Sequence, residues 1–247
     1  MEDVLRHDAG LVQFARVATE AELEDQSPGG PVSTLIAESP SDWWSLPERS
    51  DTPEMTTLRR GYHGVSRGLI LNQLLQRVDP AGRTVGQFLR DEIAAPLGLE
   101  DSCLLGIPEA TQASGSPHIA NMVSGNMAAN DDNEIIVSDQ AKPWAKEDPE
   151  AAVYFTELMQ LHLGTEFRAI TRIMAAENGE QNSVFSRKIE SPSSNGHSNA
   201  RALAKIAAAM AGKGALGGVR LMSEETWEAA HSGATQKFDD VLLSESR

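Results

Sequence analysis

Gly64-Val65-Ser66-Arg67-Gly68 is a Gly-x-Ser-x-Gly string, the pattern of a nucleophile elbow, in which a sharp turn from strand to helix exposes a reactive serine. That chemistry needs a strand before the turn, and Met55 to Arg60 is short and ends in two charges. A downstream acid and His231 complete the order serine, acid, histidine, but such residues occur in any chain this long. Just ahead lie Tyr62 and His63, a phenol and an imidazole that can move protons. A tyrosine before a helix is also simply a packed ring with its hydroxyl at the surface.

The other strings of this kind carry less chemistry. Gly212-x-Gly214-x-x-Gly217 matches a dinucleotide fingerprint, yet it follows a helix instead of a strand and reads as a helix stop and turn. Six histidines are scattered without a His-Glu-x-x-His spacing, which argues against zinc. Asn130-Asp131-Asp132-Asn133 lacks the glycine and the final glutamate of a calcium loop. Cys103 is the only cysteine, so no internal disulfide forms and a packed thiol is expected. We therefore expect no cofactor and no metal. A formal charge of -15 repels phosphate backbones and excludes nucleic-acid partners. No apolar run reaches the roughly 18 residues of a membrane span, and Met1-Glu2-Asp3 does not open a signal peptide. A cytoplasmic protein, free of membrane and open to oligomerisation, is the expectation.

The elements that must position Tyr62 follow it. Leu71, Leu74, Leu75 and Val78 fall at i, i+3, i+4 and i+7 and predict a helix with that stripe buried. Asp79-Pro80-Ala81-Gly82 stops it. Thr84 with Gln87 reads as a capping box, opening a second helix with Val85, Phe88, Leu89 and Ile93 inward; Pro96 and Gly98 close it. Thr19 with Glu22 is another capping box, ahead of the breaker cluster Ser27 to Pro31. Residues 39 to 57 read as a loop anchored by Trp43 and Trp44. Asp148-Pro149-Glu150 starts a helix along Ala151, Tyr154, Leu158 and Leu161. A partner from about Glu166 to Glu177 turns in Phe167, Ile170 and Met174. Leu203, Ile206, Ala207 and Met210 stripe a later helix, and Ser223 caps the next.

Several of these runs resemble one family. Tyr62-His63 through Arg77-Val78-Asp79, then Gly86 to Ala94, then Pro96-Leu97-Gly98-Leu99 are similar to the beta-lactamase-related serine hydrolases, the class C beta-lactamases and family VIII-type esterases among them. Leu5, His7, Ala9, Gly10 and Leu11 resemble the segment that follows the family's catalytic helix. Pro192 to Gly196, Ala200 to Ala204, and Gly218 to Ser223 with Glu225-Thr226 resemble a later loop, helix and turn; residues 119 to 182 lie outside the likeness. The resemblance implies an α+β, beta-lactamase/transpeptidase-like fold, present over residues 1 to 247 as a partial domain that is mostly the helical subdomain with few strands. It also implies that Tyr62 is the tyrosine of the active site.

The family's acyl transfer further implies a Ser-x-x-Lys pair on a helix and a Lys/His-x-Gly strand. Three positions before Lys142, Lys146, Lys188, Lys205, Lys213 and Lys237 stand Asp139, Pro143, Phe185, Ala202, Met210 and Ala234, so the nucleophile pair is absent. His231-Ser232-Gly233 matches the strand motif as a string but falls at the end of a helical stretch. The expectation is an incomplete member of the family, inactive as this chain, whose intact form hydrolyses a small ester or amide. Two alternatives stay open: a non-catalytic binding or scaffold protein that keeps the helical subdomain, and an alpha/beta hydrolase using Ser66.

Overall fold

The computed structural model describes residues 2–11, 14, 16, 18–39, 60–64, 66–121, 182–234, 236–239 and 244–246. The expected loop with Trp43 and Trp44 and the helices expected after Asp148 and Glu166 lie outside them.

Short helices open the chain: α1 (Glu2–Leu5), α2 (Glu20–Glu24) and α3 (Pro31–Glu38). Around α2 the expected capping box forms in full, with the Glu22 N–H on the Thr19 hydroxyl and the Thr19 N–H on the Glu22 carboxylate. The breaker cluster both ends α2 and starts α3, because Pro31 sits at the helix start, where its missing N–H costs nothing.

α4 (Ser66–Val78) is the longest described helix. Its inward face is not the leucine stripe. Leu69, Asn72, Gln73 and Gln76 are buried, whereas Leu71, Leu74 and Leu75 are partly buried and Val78 is 64% exposed. The amides go inward because one loop residue meets their hydrogen bonds. Asn72 Nδ2 donates to Gln26 Oε1 at 2.6 Å, and Gln73 Nε2 and Gln76 Nε2 donate to the Gln26 carbonyl at 2.7 and 2.8 Å. Buried polar groups that are fully paired cost little, and they fix one geometry.

The Thr84–Gln87 capping box also forms as expected and starts α5 (Val85–Phe88). α5 runs into a π-helical turn, Leu89–Ala94. The wider turn shifts the helix phase beyond Phe88; Gly86 and Ala94 are buried, while Val85, Phe88, Leu89 and Ile93 are only partly buried. Gly98, at φ +64°, then closes the segment.

β1 (Cys103–Leu105) and α6 (Glu109–Ser114) follow, and after the undescribed stretch come α7 (Val184–Lys188), β2 (Gly196–Ser198) and α8 (Ala200–Ala211). β1 and β2 pair antiparallel, Cys103 opposite Ser198 and Leu105 opposite Gly196. On α8 the buried positions are Ala202 and Ala209, and Leu203 is 57% exposed. The expected stripe is thus rotated, and small residues pack where large ones were anticipated. β3 (Ala215–Leu216) and β4 (Val219–Arg220) form a hairpin through Gly217 and Gly218, at φ +58° and +85°, so the glycine string is a helix stop and turn. The chain finishes with α9 (Glu224–His231), capped by Ser223, and the hairpin of β5 (Lys237–Asp239) and β6 (Ser244–Ser246).

Among the described residues two apolar clusters hold these pieces. One joins Phe14, Ala18, Leu23, Val32, Leu35, Leu69 and Ile189; the other joins Ala94, Leu97, Leu99, Cys103 and Ala202. Among the described residues no helix is long and apolar enough to cross a membrane.

Candidate active site

Tyr62 sits where three distant stretches meet. Residues 60 to 63 run into α4, and Arg60 forms an isolated parallel bridge with Asp239 of β5. The Tyr62 N–H donates to Asp239 Oδ1 at 3.1 Å. On the other side the Gly61 N–H donates to the carbonyl of His7, a residue in the left-handed region at φ +64°. The Tyr62 ring lies over the His7 ring, centroids 5.0 Å apart and tilted by 47°. Gly64 makes room for it, since a Cβ there would fall 2.6 Å from Tyr62 Cε1. The side chain is 37% exposed, and among the described residues its hydroxyl has no hydrogen-bond partner. The phenol is therefore open to whatever occupies the space outside.

Beneath Tyr62 the groups are buried and paired. His63 is fully buried; its Nε2 accepts from the Leu11 N–H at 2.9 Å and its Nδ1 faces the Gly61 carbonyl at 2.6 Å. Those partners place the proton on Nδ1. Burial pushes its pKa down, against the pull of the Gly61 carbonyl. His63 is thus a neutral strut that shapes the turn. The Ser66 hydroxyl is also buried and donates to the Leu11 carbonyl, which suits a helix-opening residue better than an exposed nucleophile.

An ion-pair staple closes the base. Asp8 accepts from Arg60 at 3.1 Å through one oxygen and from Lys237 at 2.9 Å through the other, and these partners hold its pKa below the usual carboxylate range despite burial. Arg60 and Asp8 are 4% and 7% exposed. The Pro192–Gly196 loop braces the start of α4: Ser193 Oγ accepts from the Gly68 N–H at 2.9 Å, and a Cβ at Gly68 would come within 2.5 Å of the Ser193 nitrogen. Asn195 locks the loop, accepting from the Ser191 N–H and donating to the Ser186 and Ile189 carbonyls.

His231-Ser232-Gly233 ends α9 and caps it, His231 stacking on Trp227 at 4.0 Å. It is not on a strand. A cleft of about 480 Å³ opens between β2, the 117–120 segment and α7, lined by Leu104, His118, Arg187, His197 and Asn199 among others, with none of Tyr62, His7 or Arg67 on its wall. Among the described residues no three His, Cys, Asp or Glu side chains converge as a metal site requires.

Spacing alone did not reveal Asp8, Arg60, Lys237 and Asp239 as one unit. Asp8 meets Arg60 across 52 residues and Lys237 across 229, and Asp239 reaches the Tyr62 amide across 177, and no local pattern carries these pairings.

The model of the family described as Beta-lactamase matches residues 1–245. The chain belongs to that family. Among solved structures it is similar to a family VIII carboxylesterase, at 21% identity and a TM-score of 0.63 over 98% of this chain and 51% of that one. A penicillin-binding protein homologue from Caulobacter crescentus matches at 25% identity and 0.55 over 99% and 52%. EstA from Arthrobacter nitroguajacolicus Rue61a matches at 21% and 0.59 over 98% and 53%. No curated protein matches. The fold is thus beta-lactamase/transpeptidase-like, and the chain spans about half the length of the solved structures it matches.

Proposed function

We propose that this beta-lactamase-family chain carries the tyrosine side of an acyl-transfer site for a small ester or amide, with Tyr62 moving protons to and from a serine nucleophile. The observation that carries this reading is Tyr62 itself, held on a platform of the buried His63 and Asp239 and the partly buried His7, with its hydroxyl outward. A tyrosine seated this way can take and return a proton without moving the backbone.

No lysine in the 247 residues has a serine three positions before it, so the proposal has these residues inactive by themselves. The chain should not hydrolyse short p-nitrophenyl esters or a chromogenic cephalosporin. Joining an upstream segment bearing Ser-x-x-Lys and a downstream strand bearing Lys/His-x-Gly should produce turnover. Tyr62→Phe should then lower kcat on the order of a hundredfold, and Ser66→Ala should change it little. Hydrolysis by the unjoined chain that Ser66→Ala abolishes would overturn the assignment in favour of a serine at α4.

The missing Ser-x-x-Lys equally favours a second reading, a non-catalytic binding protein on the same fold. Under that reading the joined protein stays inert while the 247 residues still bind a ligand.

A further inference from the structure

His7 meets a hydrogen donor at each ring nitrogen. The His63 backbone N–H donates to Nδ1 at 2.8 Å, and the Arg67 guanidinium lies 2.8 Å from Nε2. A neutral imidazole has one N–H and one lone pair. The backbone amide cannot give up its proton, so the lone pair belongs to Nδ1 and the hydrogen to Nε2. That hydrogen points at a guanidinium, which only donates. Burial and the nearby Arg67 charge lower the His7 pKa to about 4, and protonation would leave a second donor facing the amide.

The charges around the ring point the same way. Arg60, Arg67 and Lys237 stand against Asp8 and Asp239, with His63 neutral. Asp8 takes up Arg60 and Lys237, and one Asp239 oxygen is on the Tyr62 N–H. Arg67 has no ion pair among the described residues. Among the described residues around the ring there are three cationic side chains against two carboxylates, and the cation without an ion pair there is Arg67. His7 and Arg67 are only partly buried, so solvent reaches them, and the His7 ring lies against Tyr62, tilted by 47°.

We propose that His7 Nε2–H and the Arg67 guanidinium together bind a carboxylate beside Tyr62. A small swing of the Arg67 side chain converts two opposed donors into two hydrogen bonds to one acceptor group. A planar monoanion matches both the single excess charge and the fork of the guanidinium. A phosphate dianion would overcharge the site in a chain already at -15. That the carboxylate belongs to the hydrolysed molecule, which makes the substrate class an ester or amide bearing a free acid, rests on the acyl-transfer reading above; the binding does not.

The test is a titration of the ¹⁵N-labelled 247-residue chain with acetate, read by long-range imidazole ¹H–¹⁵N correlations at constant ionic strength. The His7 signals are assigned by their loss in His7→Asn. The expected result is a His7 protonated on Nε2, with an Nε2 shift that saturates with acetate and not with acetamide. Arg67→Met should weaken acetate by roughly tenfold or more, the scale of one charge-assisted bond, and Arg67→Lys should recover part of it. A linear, unsaturable acetate response overturns the site, as does saturation unchanged in Arg67→Met. Inorganic phosphate that displaces acetate at lower concentration overturns the choice of carboxylate. Should Arg67→Met fail to fold, the acetate and acetamide arms with wild type and Arg67→Lys decide. None of these outcomes depends on turnover, so a failed titration leaves the hydrolysis test standing and the converse also holds.

Discussion

His7 and His63 are both held neutral in the fold, and acid attacks them first. Their pKa values lie below the ordinary value of 6.5, His7 at about 4, chiefly through burial. The unfolded chain binds protons near 6.5, so unfolding takes up protons between that value and the folded ones. Their contribution to stability is complete above about pH 6.5 and is lost as pH falls through the folded pKa values. The groups facing His7 are Arg60, Arg67, His63 and Asp239, and the arginines, by lowering its pKa further, widen the pH range of this loss. Asp8 acts lower: its depressed pKa gives stability that is present above about 3.8 and disappears as pH falls further. Thermal melts across this range should show two acid steps, and His7→Gln should flatten the upper one. At Gly68, where a Cβ would lie 2.5 Å from the Ser193 backbone nitrogen, alanine should cost about 1–3 kcal/mol in denaturant unfolding, as overpacking against backbone usually does.

α4 tests which face of a helix matters. Asn72 is fully buried; its carbonyl oxygen accepts from the Val85 N–H at 2.8 Å and its amide donates to Gln26. Asn72→Ala leaves both partners unmet and should cost about 2 kcal/mol or more. Val78→Ser, at a position 64% exposed, should stay within about 0.5 kcal/mol. Urea unfolding of the two variants gives opposite orders for the observed face and for the leucine stripe. The ends of α2, α5 and α9 were legible from sequence because a cap is settled within four residues: Thr19 with Glu22, Thr84 with Gln87, Ser223 with Thr226. The faces of α4 and α8 were not. Apolar periodicity has no means of seeing that Gln26, more than forty residues away, satisfies three amides, or that Ala202 packs inward so closely that Leu203 is left outside.

The molecule as a whole is tied at Asp8. Asp8→Asn removes a countercharge of an Arg60 that is 4% exposed, and breaking such a buried pair should cost on the order of 3 kcal/mol. Lys237 is 29% exposed, so Lys237→Met should cost under about 1 kcal/mol. Hydrogen exchange should show faster opening at the Tyr62 and Gly61 amides in Asp8→Asn and little change around Gln26. Family membership was readable because the residues of the 59–99 stretch and the later loop keep the family's order. The seat beneath Tyr62 was not, since it is assembled by tertiary contacts alone.

That seat has a consequence for how the protein is made. Tyr62 rests on Asp239, and Asp8 on Lys237, so groups that meet in space are 177 and 229 residues apart along the chain. During synthesis the tyrosine segment emerges long before the strand that holds its amide. Domains fold from the N-terminus as they appear, and loop closure over such spans is slow. α4 can dock on the Gln26 loop early, whereas the Tyr62 platform is completed only once residue 239 has left the ribosome. A nascent chain stalled short of that point would carry the tyrosine without its place to sit.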